Sequence, residues 1–179
     1  MPDTITNAKF ANRYGLNIKV YEYTDGSVPE GDPKLSIDFA NVSDIELSGG
    51  RVWATGGQDH ANMIGFNDRI EGTFKLSTQI MTMELLALLA GKEAELGAVV
   101  FQNGDDVMPK YYTINAETVW QGVDGATYSE NVTFHKACPQ RSYNISYSGD
   151  GDPTSVDITF DLMQDGDGKV ATFEKLTKA

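Results

Sequence analysis

The residues best suited to metal or nucleophilic chemistry are few and widely spaced. The chain contains two histidines, His60 and His135, and a single cysteine, Cys138. His135 and Cys138 form an H-x-x-C pair, but two ligands fill only half of a tetrahedral zinc site, and no further His or Cys cluster completes it. We therefore interpret the pair as a strand-end histidine and a partly buried thiol, and we expect no metal site.

Two acidic, glycine-rich runs resemble calcium-binding loops in composition only. The runs are SGDGD at 148–152 and DGDG at 165–168. A calcium loop of the EF-hand type needs acids at alternate positions, then a glycine and a final glutamate, with a helix on each side. Neither run continues in that way, and both lie between predicted strands. We interpret them as hairpin turns, and a weak surface calcium site stays open as the alternative.

The motifs of common nucleotide-binding and hydrolytic enzymes are missing from the sequence. It contains no GxxxxGKS/T, no GxGxxG that follows a strand and opens a helix, and no GxSxG. Its 26 acidic residues could place some carboxylates in pairs, but the sequence singles out no pair for glycosidase-like chemistry. We expect no enzyme and no cofactor. The alternatives are a hydrolase with unidentified carboxylates and a β-sandwich module that binds carbohydrate through Trp53, Trp120 and tyrosines.

Charge and composition further limit the functions that this protein can have. The 179 residues carry 26 acids against 14 bases, a net charge of −12, which argues against a surface that grips nucleic acid through its phosphates. The length suits a single domain over 1–179 with one core. The longest apolar run, IMTMELLALLAG, is too short to cross a bilayer, and the first residues show no secretory signal. We expect a soluble chain without a membrane partner.

The elements that position these residues are mostly strands. Apolar and polar residues alternate in segments such as 16–20, 128–135 and 156–162, with turn-forming residues between the later ones. This pattern predicts a mainly β fold, an antiparallel sandwich or partly closed barrel. It also predicts one flanking α-helix at about 82–91 and a long projecting loop at about 48–67, with a loose hairpin as the alternative for that segment.

The predicted helix has clear ends and an unusually apolar surface. Thr82 suits the N-cap, Glu84 suits the positive helix start, and Gly91 suits the C-terminal stop. Its four leucines cover too much of the circumference for burial against one sheet alone. We therefore predict that Leu85 and Leu89 contact a neighbouring subunit. The alternative is that all four leucines fill the core of this domain.

The predicted loop, SGGRVWATGGQDHANMIGFN, is long for a compact domain and rich in apolar residues. Such residues usually pack against something, and buried aromatic and aliphatic anchors dominate association between proteins. We predict contacts with other subunits through Trp53, Met63, Ile64 and Phe66. The alternative is a surface loop packed on itself.

Three stretches of the first half carry a resemblance to a known family. They read NRYGLNIKVYE, FANVSDIELSGGRVWATGG and IGFNDRIEGTFKLSTQIMTMELLALLAG. Together with the order of elements, they resemble the tail tube (major tail) proteins of tailed bacteriophages. The second half agrees in its strand pattern only.

The resemblance implies a structural virion protein that assembles with itself into hexameric rings, stacked into a tube. The long loop would make contacts between rings or subunits. It also implies assembly in the host cytoplasm, a tape-measure protein and other tail proteins as partners, and DNA that passes through the lumen without specific binding. Glu71, Asp157 and Asp161 are then candidates for acids that face the lumen and repel DNA. The tube of a contractile injection or secretion system is the alternative assembly.

Overall fold

The computed structural model describes the chain as eleven strands and one helix over most of its length. The described residues are 10–12, 16–25, 29, 31–40, 42–56, 61–79, 81–92, 98–101, 110–142, 144–147, 155–174 and 177–178. The strands are β1 (Phe10–Asn12), β2 (Leu16–Glu22), β3 (Leu35–Ala40), β4 (Val42–Gly56), β5 (Ala61–Thr78), β6 (Tyr112–Gly122), β7 (Thr127–Pro139), β8 (Asn144–Ser146), β9 (Ser155–Met163), β10 (Ala171–Phe173) and β11 (Thr177–Lys178). The helix is α1 (Met83–Ala90), between β5 and β6.

All the strands belong to one antiparallel sheet. Its main path runs β3-β2-β6-β7-β9-β5-β4, while β1 pairs with β6, β8 with β9, and β10 and β11 with β7. Among the described residues, β3 and β4 end the path without pairing with each other, so the sheet does not close into a barrel. The prediction of a mainly β, antiparallel fold with one helix is confirmed.

The core lies on one face of this curved sheet. Along β9, Val156, Ile158, Phe160 and Leu162 are buried and alternate with more exposed neighbours, because successive side chains of a strand point to opposite faces. Phe74 of β5 stacks on Phe134 of β7 with ring centroids 4.8 Å apart. Buried residues of β2, β3, β5, β6, β7, β9 and the helix therefore share a single hydrophobic cluster.

The helix has the predicted boundaries for the predicted reasons. The Thr82 hydroxyl accepts a hydrogen bond from the Leu85 N–H at 3.2 Å, which satisfies one free donor of the first turn. Gly91 ends the helix with φ 66°, a left-handed conformation that glycine adopts without a Cβ penalty, and its N–H donates to the Leu88 carbonyl. The prediction of a helix at about 82–91 is confirmed.

Of the two structures predicted for about 48–67, the hairpin is correct and the long loop is wrong. Most of this segment belongs to β4 and β5, which pair from Val42 and Ser77 to Gly56 and Ala61; residues 57–60 lie outside the described part of the chain. The register shifts between Gly49 and Arg51, and again further along the hairpin. Each register shift interrupts the alternation of apolar and polar residues, although the two strands remain paired through their backbones. The alternation alone therefore does not identify these strands.

Candidate functional site

The β4–β5 hairpin extends beyond the sheet as a two-stranded ribbon. β5 pairs with β9 only from Gly72 to Thr78, whereas its pairing with β4 continues to the hairpin end. We call residues 48–56 and 61–71 the arm. Over the described residues, neither outer edge of the arm has a partner strand. An isolated two-stranded ribbon is only marginally stable in water, so the arm is suited to gain contacts from another surface.

Three apolar side chains come together on one face of the arm. Val52 lies directly opposite Phe66, and Ile64 is two residues from Phe66 along the same strand. Directly paired residues and residues two apart share a face of a ribbon, so these three side chains form one group, the arm cluster. Each member is 57% exposed. A clustered apolar patch of this kind on a protein surface is typical of an interaction site.

The predicted contact residues lie in two regions, the arm and the core of this chain. Ile64 and Phe66 lie in the arm cluster, together with Val52, which sequence reasoning did not select because only the register makes it the partner of Phe66. Trp53 and Met63 lie on the arm by their backbone, and their side chains lie outside what the structure describes.

Leu85 and Leu89, in contrast, lie in the core of this chain, with 1% and 7% of their surface exposed. They are part of the same cluster as the buried strand residues. The structure therefore does not bring the helix leucines together with the arm.

The predicted lumen acids share the opposite face of the sheet from the core. Thr73 pairs with Asp161 and Ser77 with Asp157, and Glu71 is two residues from Thr73 on the same strand. All three acids are exposed, whereas the alternating residues Phe74 and Ile158 are buried. The structure thus places Glu71, Asp157 and Asp161 on one face of the β5–β9 pair.

Pairing with β4 enlarges this acidic face. Glu46 is the partner of Thr73, and Asp44 is the partner of Lys75, so both acids project on the same side as Asp161. Sequence reasoning missed Asp44 and Glu46, because the interrupted alternation of β4 hid their face. Lys75 lies within the acidic face and reduces its charge.

A cleft of about 620 Å³ lies at the base of the arm, where β5 separates from β9. Its lining combines acids, bases and apolar side chains, including Glu71, Asp161, Arg69, Lys136 and Met163. The Gln140 side chain donates a hydrogen bond to Asp161 at 2.6 Å. Charges of both signs beside apolar side chains suit contact with a mixed protein surface.

The H-x-x-C pair does not converge on a common ligand. His135 and Cys138 are three residues apart on β7, with a register shift between them, and their side chains have different neighbours. The His135 Nε2 lies 2.7 Å from the Thr172 hydroxyl, and burial, with a further contribution from Asp161, raises the pKa of the Cys138 thiol. Within the described residues, no group of three or more His, Cys, Asp or Glu is arranged to hold a metal ion.

The DGDG run forms a turn whose backbone N–H groups donate hydrogen bonds to aspartate carboxylates. The Asp165 carboxylate accepts hydrogen bonds from the N–H groups of Asp167 and Lys169 at 3.0 and 2.7 Å, and the Gly166 N–H donates to Asp25. The turn joins β9 to β10, which pair with β7 and not with each other, so it is not the predicted hairpin turn. The second run, SGDGD at 148–152, lies outside the described residues.

Trp120, one of the two tryptophans considered for carbohydrate binding, is half-buried on β6. Its indole N–H donates to the Glu130 carboxylate at 2.6 Å. In the part of the chain that the structure covers, no helix has both the length and the apolar character that a membrane span needs.

These features define a mainly β protein with a projecting apolar arm and an acidic sheet face. No family model matches the chain, and no curated protein matches it. Among solved structures, it is similar to a chain of the anti-feeding prophage (AFP) baseplate, with 10% identity, a TM-score of 0.44, and 94% of this chain and 95% of that chain covered.

A type six secretion system protein matches with 15% identity and a TM-score of 0.44, over 92% of this chain and 93% of that chain. An Hcp protein matches with 10% identity and a TM-score of 0.37, over 89% of this chain and 98% of that chain. At this level of similarity, the alignments assign neither a family nor a function to this chain.

Proposed function

We propose that this chain is a structural subunit of a phage tail tube, or of the tube of a related injection apparatus, and that it assembles with itself into stacked rings. The observation that carries the proposal is the arm cluster. It presents Val52, Ile64 and Phe66 to solvent on a ribbon whose edges lack partner strands in the described residues. Burial of this ribbon against another copy supplies the packing that one subunit lacks.

The rest of the molecule is suited to the same role. The resemblance of the first half to tail tube proteins implies hexameric rings, and the arm occupies the segment for which that resemblance implies contacts between rings or subunits. In this proposal the arm cluster is the anchor of those contacts, with a role that is structural and not catalytic. The tape-measure protein and other tail proteins are the further partners.

The acidic sheet face supports a conduit for DNA. In this proposal Glu71, Asp157 and Asp161 face the lumen, where their negative charges repel the phosphate backbone. A surface that does not neutralise phosphates does not retain DNA, so the DNA slides through the lumen without specific binding. Asp44 and Glu46 extend the same face, which strengthens the repulsion.

Electron microscopy of the purified protein tests the proposal directly. A concentration series is examined by negative stain and, in parallel, by sedimentation velocity. We expect rings at moderate concentration and tubes at high concentration, because stacking adds contacts only after rings form. Persistent monomers across the series would show that the chain is not a self-assembling tube subunit.

A further inference from the structure

A second cleft lies beside α1, on the core side of the sheet and away from the acidic face. It has a volume of about 250 Å³ and lies at the end of the sheet where β2 ends and where β3 and β6 begin. Ala87 and Leu88 of the helix and Tyr112 of β6, all buried, form its apolar part. Typical small-molecule sites measure roughly 300–1,000 Å³, so this cleft suits a single side chain of a protein partner better than a small molecule.

The charged residues around this cleft are mostly lysines. Three lysines and two glutamates line it, which gives a formal charge of +1. They are Lys34, Lys92, Lys110, Glu22 and Glu84. We call this cleft the lysine pocket. The whole chain has a net charge of −12, so the lysine pocket has the opposite sign to the rest of the molecule.

Backbone hydrogen bonds hold two of these lysines at fixed points. The Lys34 N–H donates to the Val20 carbonyl at 2.8 Å, and the Lys92 N–H donates to the Ala87 carbonyl at 3.0 Å, at the end of the helix. Lys110 lies just before β6, and among the described residues no acid lies within ion-pair distance of it. The fold thus brings together three bases that are far apart in the sequence.

The two glutamates do not neutralise the lysine pocket. The Lys34 Nζ lies 3.8 Å from the Glu22 carboxylate, and these side chains are 57% and 71% exposed, so the pair is a weak surface contact. Glu84 lies in the first turn of the helix, about 12 Å along the helix axis from Lys92. A further carboxylate that enters between the lysines therefore meets positive charge.

The net charge of the chain gives such a pocket a role in self-association. Copies with a net charge of −12 repel one another, and repulsion of this kind keeps proteins monomeric. Like-charged copies associate where a positive patch of one meets a negative patch of the other. The acidic surface of a second copy is a complementary partner that is present in every sample of the protein.

We propose that the lysine pocket is a contact between copies of this chain, in which a glutamate or aspartate of a second copy lies between Lys34, Lys92 and Lys110. Its carboxylate accepts hydrogen bonds from the ammonium groups, and its methylene carbons pack on Ala87 and Leu88. This inference rests on the self-association proposed above, and it adds a charged contact that is separate from the arm cluster. Association through this contact weakens as the salt concentration rises, because salt screens charges near a protein surface.

Zero-length cross-linking of the full chain tests the proposal. A water-soluble carbodiimide activates a carboxyl group, and a lysine amine in contact with that carboxyl displaces the activating group to form an amide. Isotopically light and heavy protein are mixed in equal amounts, cross-linked at low salt over a concentration series, and digested for mass spectrometry. An amide that joins a light peptide to a heavy peptide connects two copies.

We expect amides between copies at Lys92 and Lys110 in excess of those at Lys19. Lys19 is an exposed lysine of β2 outside the lysine pocket, so it measures random collision. An amide between Lys34 and Glu22 of the same copy verifies the chemistry. Amides between copies that are no more frequent at Lys92 and Lys110 than at Lys19 would overturn the proposal.

A matched pair of charge reversals gives a second measurement. Lys110→Glu and Lys19→Glu change the net charge equally, and both replace an exposed side chain. In sedimentation velocity at low salt, Lys110→Glu should need a protein concentration roughly tenfold or more above that of Lys19→Glu to associate, because like charges that face each other across an interface are strongly unfavourable. Lys110→Arg keeps the charge and should associate as the wild type does.

Salt dependence separates the charged contact from other effects of these substitutions. At high salt the difference between Lys110→Glu and Lys19→Glu should disappear. Equal association of the two variants at low salt would contradict the contact.

The outcomes also separate this inference from the proposed function. Rings and tubes without excess amides at the lysine pocket leave the tube subunit intact and overturn the contact. Excess amides between copies without rings support the contact and contradict the tube.

Discussion

Truncation of the arm cluster should weaken self-association without unfolding the subunit. The double substitution Val52→Ala, Phe66→Ala removes two directly paired side chains that are each 57% exposed in the single chain. Full burial of such a side chain contributes about 1.5–3 kcal/mol, so burying the exposed part of both contributes roughly 2–3 kcal/mol per arm. Since about 1.4 kcal/mol is a factor of ten, each contact should weaken by roughly 30- to 140-fold.

The assay is sedimentation velocity over a concentration series, with urea unfolding of the dilute protein beside it. We expect the variant to form oligomers only at a higher protein concentration than the wild type. The increase should be at least the roughly 30-fold factor calculated for one contact, because every copy in a ring loses the same contact. The free energy of unfolding should change by less than about 0.5 kcal/mol per site, since both side chains are largely outside the core.

A matched control removes similar apolar surface elsewhere. Val123 and Tyr147 are 81% and 74% exposed and lie outside the arm. Val123→Ala, Tyr147→Ala should leave the assembly curve unchanged. The reasoning is refuted if the arm variant assembles as the wild type does, or if the control shifts the curve as far as the arm variant.

Three further predictions concern the acidic face, the helix and one buried tyrosine. Asp157→Lys should make assembled tubes retain short duplex DNA in a nuclease-resistant form at low salt, whereas Asp38→Lys, the same charge change on β3, should not; equal retention would place Asp157 outside the lumen. Thr82→Ala should lower the free energy of unfolding by about 1 kcal/mol in urea titrations, because the N-cap acceptor is lost; an unchanged midpoint would refute the cap. Burial, then Glu22 and Cys138, raises the pKa of Tyr112 to about 12, so the unfolded chain loses this proton first and stability should fall as pH rises from about 10 to 12. Tyr112→Phe should remove this part of the pH dependence, and a slope identical to wild type would contradict the assignment.

The elements with local signals were predictable from sequence. The helix ends depend on a hydroxyl three residues from its N–H partner and on one glycine, and both contacts lie within a single turn. Strands such as β9 were predictable because one face is buried and the other is exposed to solvent, so apolar and polar residues alternate along the sequence. The three lumen candidates were placed on a common face for the same reason.

The strand pairing within the arm was not predictable, because each of its two strands has only the other as its pairing partner over the described residues. Glycines and register shifts interrupt its alternation, and the apolar side chains described there, such as Val52, Ile64 and Phe66, are exposed in the single chain. The apolar composition predicted a contact surface that includes Ile64 and Phe66. Their neighbour Val52 joins them only through cross-strand pairing.

For the helix leucines, the helix itself was predictable but the residues that surround it were not. Their spacing indicates a helix that is apolar around most of its circumference, but a helical pattern does not state what covers each side. The structure places Leu85 and Leu89 in the core of their own chain. Their burial depends on strand residues that are distant in sequence, which a helical pattern does not encode.

The sequence by itself determined the mainly β class, the position and ends of the single helix, and the acidic surface, because these follow from composition, alternation and contacts a few residues apart. Only the tertiary structure decided how β4 and β5 pair across 48–67, that Val52 joins Ile64 and Phe66, and that the C-terminal strands share the β7 edge with β9. These features depend on which strand pairs with which, and in what register. Pairing joins residues far apart along the chain, so no local pattern encodes it.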